Sequence, residues 1–198
     1  MDEETKTVIQ AVVKEVAAPF TGVVTDLVGI CGGDRLKRFR ERKRERQDQN
    51  ERDTVEAAAK LVDLRDIKPD PNTSPEFVEE ILDAAKDCGT AEVREMFARL
   101  LAGLVDPARS PLYRREFVQI VSQLEPLEAQ LLPLLNVGGE LAPNRKVFLA
   151  QRLGMSDDVV ANALTHLFKL GLTNTAEGTT VVNPQPSTLG RQFLALVT

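Results

Sequence analysis

Residues that commonly build catalytic and metal sites are scarce in this chain. Among its 198 residues there is no tryptophan, one tyrosine, one histidine and two cysteines. The cysteines, Cys31 and Cys88, lie far apart, which argues against the disulfide framework of a small secreted protein. With His166 as the single histidine, the chain lacks both the Cys and His pair of a nucleophilic enzyme and the ligand cluster of a zinc site. We therefore predict no catalytic residue, metal, cofactor or small-molecule substrate.

A long uncharged hydrophobic run is also lacking. Apolar residues recur at helical spacing from residue 8 to residue 28, but charged side chains interrupt them, which argues against a membrane span. The pattern predicts amphipathic N-terminal helices that pack against partner helices. Our candidate contacts for a homo-oligomer interface are Val12, Val16 and Phe20. Because no cleavable signal segment is evident, we expect a cytoplasmic protein and leave a membrane-peripheral location open.

Negative charge predominates overall, yet one segment is strongly basic. The chain carries a net charge of -5, whereas residues 34–46 hold eight basic and three acidic side chains. The candidate contacts for anions or nucleic acid are Arg35, Lys37, Arg38, Arg40, Arg42, Lys43, Arg44 and Arg46. Residues 40–54 include no hydrophobic residue, so we expect a solvated helix or a flexible connector rather than a core element. Nucleic-acid phosphate, an anionic membrane surface and the acidic part of another copy all remain open as partners.

The middle of the chain predicts a helical bundle. Apolar stripes at helical spacing recur four times between residues 77 and 135, and short polar or proline-rich connections separate them. Short connections make neighbouring helices antiparallel. We divide the chain into N-terminal amphipathic helices over 1–33, a long charged helix or connector over 34–68, a bundle over 69–138 and a further subdomain over 139–198.

The C-terminal segment predicts a helix, a turn, a second helix, a β-hairpin and a closing helix. This order is typical of a winged helix-turn-helix. The predicted fold class is therefore mainly α, an antiparallel helical bundle with a C-terminal winged-helix-like subdomain that carries a small hairpin. The candidate surface residues of the second helix are Asn162, Thr165, His166 and Lys169. Asp157 and Asp158 at its start would face DNA phosphates, which disfavours DNA reading.

Three segments resemble the Abi-alpha (abortive infection alpha) family of bacterial proteins. They are "EVREMFARLLAGLVDP", "REFVQIVSQLEPLEAQLL" and "STLGRQFLALV", preceded by "GDRL" at the start of the charged helix. The resemblance implies a helical bundle with a winged-helix-like end and a role in phage defence. One departure is Glu125, which stands in "LEPLEA" where the family has a hydroxyl residue, and we expect it to weaken that helix start slightly.

Two functions follow from these observations. The first is a non-enzymatic phage-defence protein that acts through protein contacts and self-association. The alternative is a winged-helix DNA-binding protein that uses residues 35–46 on phosphates.

Overall fold

A computed structural model describes the backbone of residues 33–136, 145–174 and 184–198, and the side chains of 40–135, 146–174 and 184–198. The predicted oligomer contacts Val12, Val16 and Phe20 lie outside these residues. So do the predicted N-terminal helices and the turn of the predicted hairpin.

Helices make up most of the described chain, which confirms a mainly α fold. The α-helices are α1 (Gly33–Leu64), α2 (Pro75–Lys86), α3 (Ala91–Val105), α4 (Glu116–Gln123), α5 (Pro126–Asn136), α6 (Arg145–Leu153), α7 (Asp157–Lys169) and α8 (Thr188–Val197). A short 3₁₀ helix covers Ser110–Leu112. Two short strands, β1 (Thr173–Asn174) and β2 (Gln185–Pro186), pair antiparallel with Thr173 opposite Pro186. The small sheet agrees with the predicted hairpin.

Helix α3 lies at the centre of the core. Its apolar residues recur every three or four positions, and Met96, Phe97, Leu100 and Leu104 are at most 3% exposed. The helix contacts α1, α2, α4, α5 and α8. Full burial of a side chain of this size stabilises the folded state by roughly 1.5–3 kcal/mol. The predicted stripe of α3 is therefore the main apolar anchor of the fold.

Residues 40–54, which the sequence analysis left open as a solvated helix or a flexible connector, are helical throughout and belong to α1. The expectation that this stretch is not a core element needs correction. Asn50 and Thr54 are 4% and 1% exposed and lie against the bundle. The Asn50 side-chain amide donates to the carbonyl oxygens of Lys86 and Cys88 at 2.9 and 2.8 Å. Hydrogen bonds rather than apolar contacts hold this part of α1, and a search for hydrophobic residues does not detect them.

Helix α8 closes the fold by packing on α3. Gly103 in α3 lies so close to Leu196 that an added Cβ would collide with its backbone oxygen. Gly190 in α8 likewise lies against the carbonyl group of Leu172. A single hydrophobic cluster runs from Ala58 in α1 to Val197 in α8. These close approaches need glycine, and both glycines occur in segments that carry the family resemblance.

Candidate interaction surfaces

The basic segment forms exposed turns of α1. Residues 40–46 are all exposed, and their cations in the described part are Arg40, Arg42, Lys43, Arg44 and Arg46. For Arg35, Lys37 and Arg38 the structure describes only the helical backbone. The five described candidates therefore lie on consecutive exposed turns of one helix.

This part of α1 has a basic side and an acidic side. Lys43, Gln47, Asn50 and Thr54 repeat at helical spacing, and this stripe faces α2 and α3. At about 100° per residue, the neighbouring cations lie within about 100° of the stripe, whereas Glu41, Glu45 and Asp48 lie roughly opposite. The cations of α1 therefore flank the side on which the helix meets the bundle.

Contacts with the end of α2 neutralise part of the positive charge of the basic segment. Lys43 Nζ lies 3.4 Å from Asp87 Oδ1, and Gln47 Nε2 donates to the same oxygen at 2.9 Å. The Gln47 hydrogen bond, followed by the bond and charge of Lys43, lowers the pKa of Asp87. These contacts join α1 to the end of α2.

Two further ion pairs hold α1 against the bundle beyond Gln47. Glu51 lies 3.6 Å from Lys86, and Asp53 lies 2.7 Å from Arg94. In both pairs α1 contributes the acidic residue, and α2 or α3 contributes the basic one. The long polar helix is aligned on the bundle by these pairs, each of which is partly exposed and contributes modestly to stability.

The exposed face of α7 is mixed in charge. Asn162, Thr165 and Lys169 are exposed and lie on one side of the helix, as predicted. The Thr165 hydroxyl donates to the carbonyl oxygen of Ala161 at 2.8 Å. Asp157 and Asp158 are exposed at the first turn, and Asp157 lies 3.7 Å from Lys146. The start of α7 therefore presents carboxylates to any ligand that approaches along its axis.

His166 lies away from the exposed face of α7. Its Nδ1 lies 2.7 Å from Glu128 Oε1 of α5, and the Glu128 side chain is only 4% exposed. The second Glu128 oxygen accepts the backbone N–H of Glu125 at 2.8 Å. His166 is half-buried and links α5 to α7, so it does not extend the exposed patch of Asn162, Thr165 and Lys169.

Sequence analysis missed the role of Glu128, although a signal was present. Glu128 stands three residues after Glu125 and two after Pro126, the position of the acidic member of a capping box. The carboxylate binds the N–H that opens α5. The expected weakening by Glu125 concerns only the hydroxyl half of such a box, and Glu128 supplies the other half.

Exposed apolar side chains concentrate on the α6–α7 pair. Among the described residues, five large hydrophobic side chains are exposed, and four of them belong to residues 148–168. They are Phe148 at 41%, Met155 at 47%, Val159 at 44% and Phe168 at 44%. Met155 lies in the turn between α6 and α7, and Val159 lies in the first turn of α7. This helix pair has apolar surface that the described chain does not cover.

Two kinds of site, a metal-ligand cluster and a membrane-spanning helix, are absent from the described residues. They contain no group of three or more His, Cys, Asp and Glu side chains that could hold a metal ion. Within the same residues, every helix is too short or too polar to cross a bilayer. A groove with a volume of about 410 Å³ lies between α2, α3 and the start of α5. Its polar lining includes Asp83, Asp87 and Glu125, which disfavours anionic ligands there.

Fold and surfaces together define a mainly helical protein with a small antiparallel sheet and exposed charged and apolar helix faces. Comparison with family models places the chain more narrowly. The model described as abortive infection alpha matches residues 43–192, and the chain belongs to this family. A phage-defence context fits this membership. No curated protein matches the chain, and no solved structure matches it.

Proposed function

We propose that the protein acts in phage defence through protein contacts and self-association, without catalysing a reaction. The observation that carries this proposal is the exposed apolar surface of α6 and α7 at Phe148, Met155 and Val159. The free energy falls when a protein partner covers exposed apolar surface, whereas phosphate groups make no favourable contact with such a surface. Membership of the abortive infection alpha family supports the defence context.

Self-association is proposed for the N-terminal segment. Its apolar residues recur at helical spacing, and Val12, Val16 and Phe20 are the proposed contacts. An amphipathic helix buries its apolar stripe against a partner helix, and a second copy presents the same stripe. The proposed location is cytoplasmic, with attachment to an anionic membrane surface as a variant in which the same stripe lies on lipid.

A plaque assay in cells that express the protein tests both contacts. Val159→Asp places a charge in the exposed apolar surface of α7, and Val16→Asp places one in the N-terminal stripe. We expect each variant to lose protection against phage while it retains normal thermal unfolding, since neither change removes a described core contact.

Matched controls carry the same added charge elsewhere. Thr165→Asp lies on the mixed face of α7, and Gln10→Asp lies off the N-terminal stripe, so both should keep protection. Equal protection by Val159→Asp, Val16→Asp and the unmodified protein would refute the proposal.

A second candidate function is DNA binding. The exposed cations of α1 favour it, and the order of α5, α6, α7, β1 and β2 supports a winged helix. Against it stand the carboxylates of Asp157 and Asp158 at the start of α7, because affinity for DNA comes largely from neutralising phosphates. The basic turns of α1 would then supply the phosphate contacts.

Binding to random duplex DNA and to anionic liposomes across a salt series tests this candidate. Arg40, Arg44 and Arg46→Gln removes three exposed cations of the basic segment, and Lys60, Lys68 and Arg114→Gln removes three exposed cations outside residues 35–46. In a complex held by phosphate contacts, the logarithm of the binding constant falls linearly with the logarithm of the salt concentration. The slope is about -0.9 for each phosphate contact. Selective loss of DNA binding in the basic-segment variant would favour the second candidate, and absence of DNA binding by the unmodified protein would reject it.

A further inference from the structure

Two further arginines lie within electrostatic range of Arg65, whose side chain bonds to the backbone of Thr198 just after α8. Arg65 directly follows α1, Arg99 belongs to α3, and Arg109 lies between α3 and the 3₁₀ helix. Burial, followed by the positive charges of Arg109 and Arg99, lowers the pKa of Arg65, while the charge of Asp106 opposes this effect. Arg65 therefore lies within electrostatic range of both other guanidinium groups.

The described contacts leave part of this cluster without partners. Arg65 Nη2 donates to the backbone oxygen of Thr198 at 2.9 Å, and Arg109 Nε lies 3.3 Å from Asp106 Oδ2. Nη1 of Arg65 and Nη1 of Arg109 are both buried, and neither contacts an acceptor among the described residues. A buried donor on a charged group destabilises the folded state when it lacks an acceptor.

Nearby carboxylates do not complete the cluster. Glu95 accepts both bonds that Arg99 makes, at 2.6 and 3.2 Å. Asp106 pairs with Arg109 and also accepts the backbone N–H of Ala108 at 2.9 Å. Both carboxylates are therefore already engaged, and the Nη1 groups of Arg65 and Arg109 need another acceptor.

We propose that Arg65 and Arg109 bind a small oxyanion of the phosphate class, with Arg99 contributing charge. A phosphate group carries several acceptor oxygens and a double charge, and the planar guanidinium fork fits such a group with two bonds. The Arg109 and Arg99 side chains are 29% and 26% exposed, so the cluster is open to solvent on one side. In the proposed complex the terminal torsions of Arg65 and Arg109 rotate, so that the Nη1 groups, which are buried in the free protein, face an anion that enters from that side.

The recessed position of the cluster favours a small anion over a nucleic-acid backbone. Most of each arginine side chain is buried, and a duplex presents its phosphates on a wide convex surface. A single water molecule could accept from both Nη1 groups, but it would leave the mutual repulsion of the cations uncompensated. A phosphate-class anion would accept hydrogen bonds from both Nη1 groups and would also compensate the repulsion between the cations.

Thermal unfolding of the full chain in a pyrophosphate titration tests the site, with potassium chloride used to hold ionic strength constant. We expect a saturable rise of the midpoint, roughly 5–10 °C at a hundredfold excess over the dissociation constant. Arg109→Gln should abolish the rise, and Arg109→Lys should weaken binding because lysine lacks the fork. Arg114→Gln, an exposed arginine paired with Glu116, is the matched control and should leave the rise unchanged.

A gain of affinity provides a second readout that a purely structural role would not produce. Asp106→Asn removes the competing carboxylate while its oxygen can still accept the Ala108 N–H, so pyrophosphate should bind several-fold more tightly. A rise that does not saturate, or one that persists in Arg109→Gln, would mean general exclusion of the salt and would overturn the proposal. Displacement of pyrophosphate by a short DNA duplex at equal phosphate concentration would assign the site to nucleic acid and would also overturn it.

Discussion

Substitution of Glu128 by alanine tests how the C-terminal part of the chain is joined to the bundle. The side chain is 4% exposed and holds two donors at once, the Glu125 backbone N–H at 2.8 Å and His166 Nδ1 at 2.7 Å. Alanine removes both acceptors. It leaves the first turn of α5 without its acidic cap and leaves His166 without its buried partner.

The expected cost follows from these two bonds. Hydrogen bonds to charged groups contribute about 1.5–3 kcal/mol each, and loss of a helix cap costs about 0.5–2 kcal/mol. Burial of the carboxylate is itself unfavourable, and its removal offsets part of the loss. We therefore expect Glu128→Ala to lower the free energy of unfolding by about 2–4 kcal/mol, which corresponds to roughly 5–15 °C in the midpoint for a chain of this size.

Urea unfolding followed by circular dichroism measures this loss. Glu128→Gln is the control, because its amide oxygen can accept the Glu125 N–H and its amide nitrogen can donate to a neutral His166 nitrogen. The glutamine variant should therefore lose less than half as much stability as the alanine variant. A Glu128→Ala protein within about 0.5 kcal/mol of the unmodified one would show that the two bonds do not join α5 and α7 as described.

Three further predictions concern single positions. Gly190→Ala should lower the free energy of unfolding by about 1–3 kcal/mol or more, because the added Cβ would collide with a backbone carbonyl. Gly89→Ala is the control and should not lower it, since Gly89 has open space around it. Equal unfolding midpoints for the two variants would contradict the close approach at Gly190. Asn50→Ala should cost about 2–4 kcal/mol in urea unfolding, since it removes three buried hydrogen bonds, and the exposed Gln49→Ala serves as control. Burial, together with the charge of Glu80 and despite that of Arg115, raises the pKa of Tyr113 to about 12, so phenolate absorbance of this single tyrosine should titrate near pH 12 in the folded protein and near the ordinary value in urea. Because the folded state keeps the proton longer, its stability should fall as pH rises from about 10 to about 12, and a folded-state midpoint near 10 would contradict the burial of this phenol.

Apolar periodicity was sufficient to predict the helices of the core. The stripe of Met96, Phe97, Leu100 and Leu104 is the buried face of α3, and each of these side chains lies where helical spacing places it. Gly171 ends α7 with a positive φ of 74°, as its position after the last apolar residue indicates. Such local signals depend on residues a few positions apart, so one sequence contains them.

Polar contacts between distant residues were not predictable in this way. Asn50 is buried because the carbonyl oxygens of Lys86 and Cys88, more than thirty residues away, accept its amide. His166 is half-buried because Glu128, 38 residues earlier, lies beside it. Neither pairing leaves a periodic trace in the sequence, since a single polar residue on a helix looks the same whether it meets water or a partner.

The family segments also have a physical explanation. Gly103 and Gly190 occur in two of the segments that carry the resemblance, and both permit backbone approaches between α8 and its neighbours that a Cβ would prevent. Glu128, in the remaining segment "REFVQIVSQLEPLEAQLL", caps α5 and reaches α7. These three residues thus maintain the packing of the C-terminal helices, while the exposed surfaces proposed for function lie mostly outside the three segments.

The molar mass of the full chain, measured by light scattering after size exclusion at low and at high salt, tests the proposed self-association most directly. Contact through the apolar stripe of Val12, Val16 and Phe20 predicts an oligomer that persists at high salt and that Val16→Asp, but not Gln10→Asp, converts to a monomer. A monomer under all conditions would contradict self-association, and an oligomer that dissociates as salt rises would assign it to the basic turns of α1 instead.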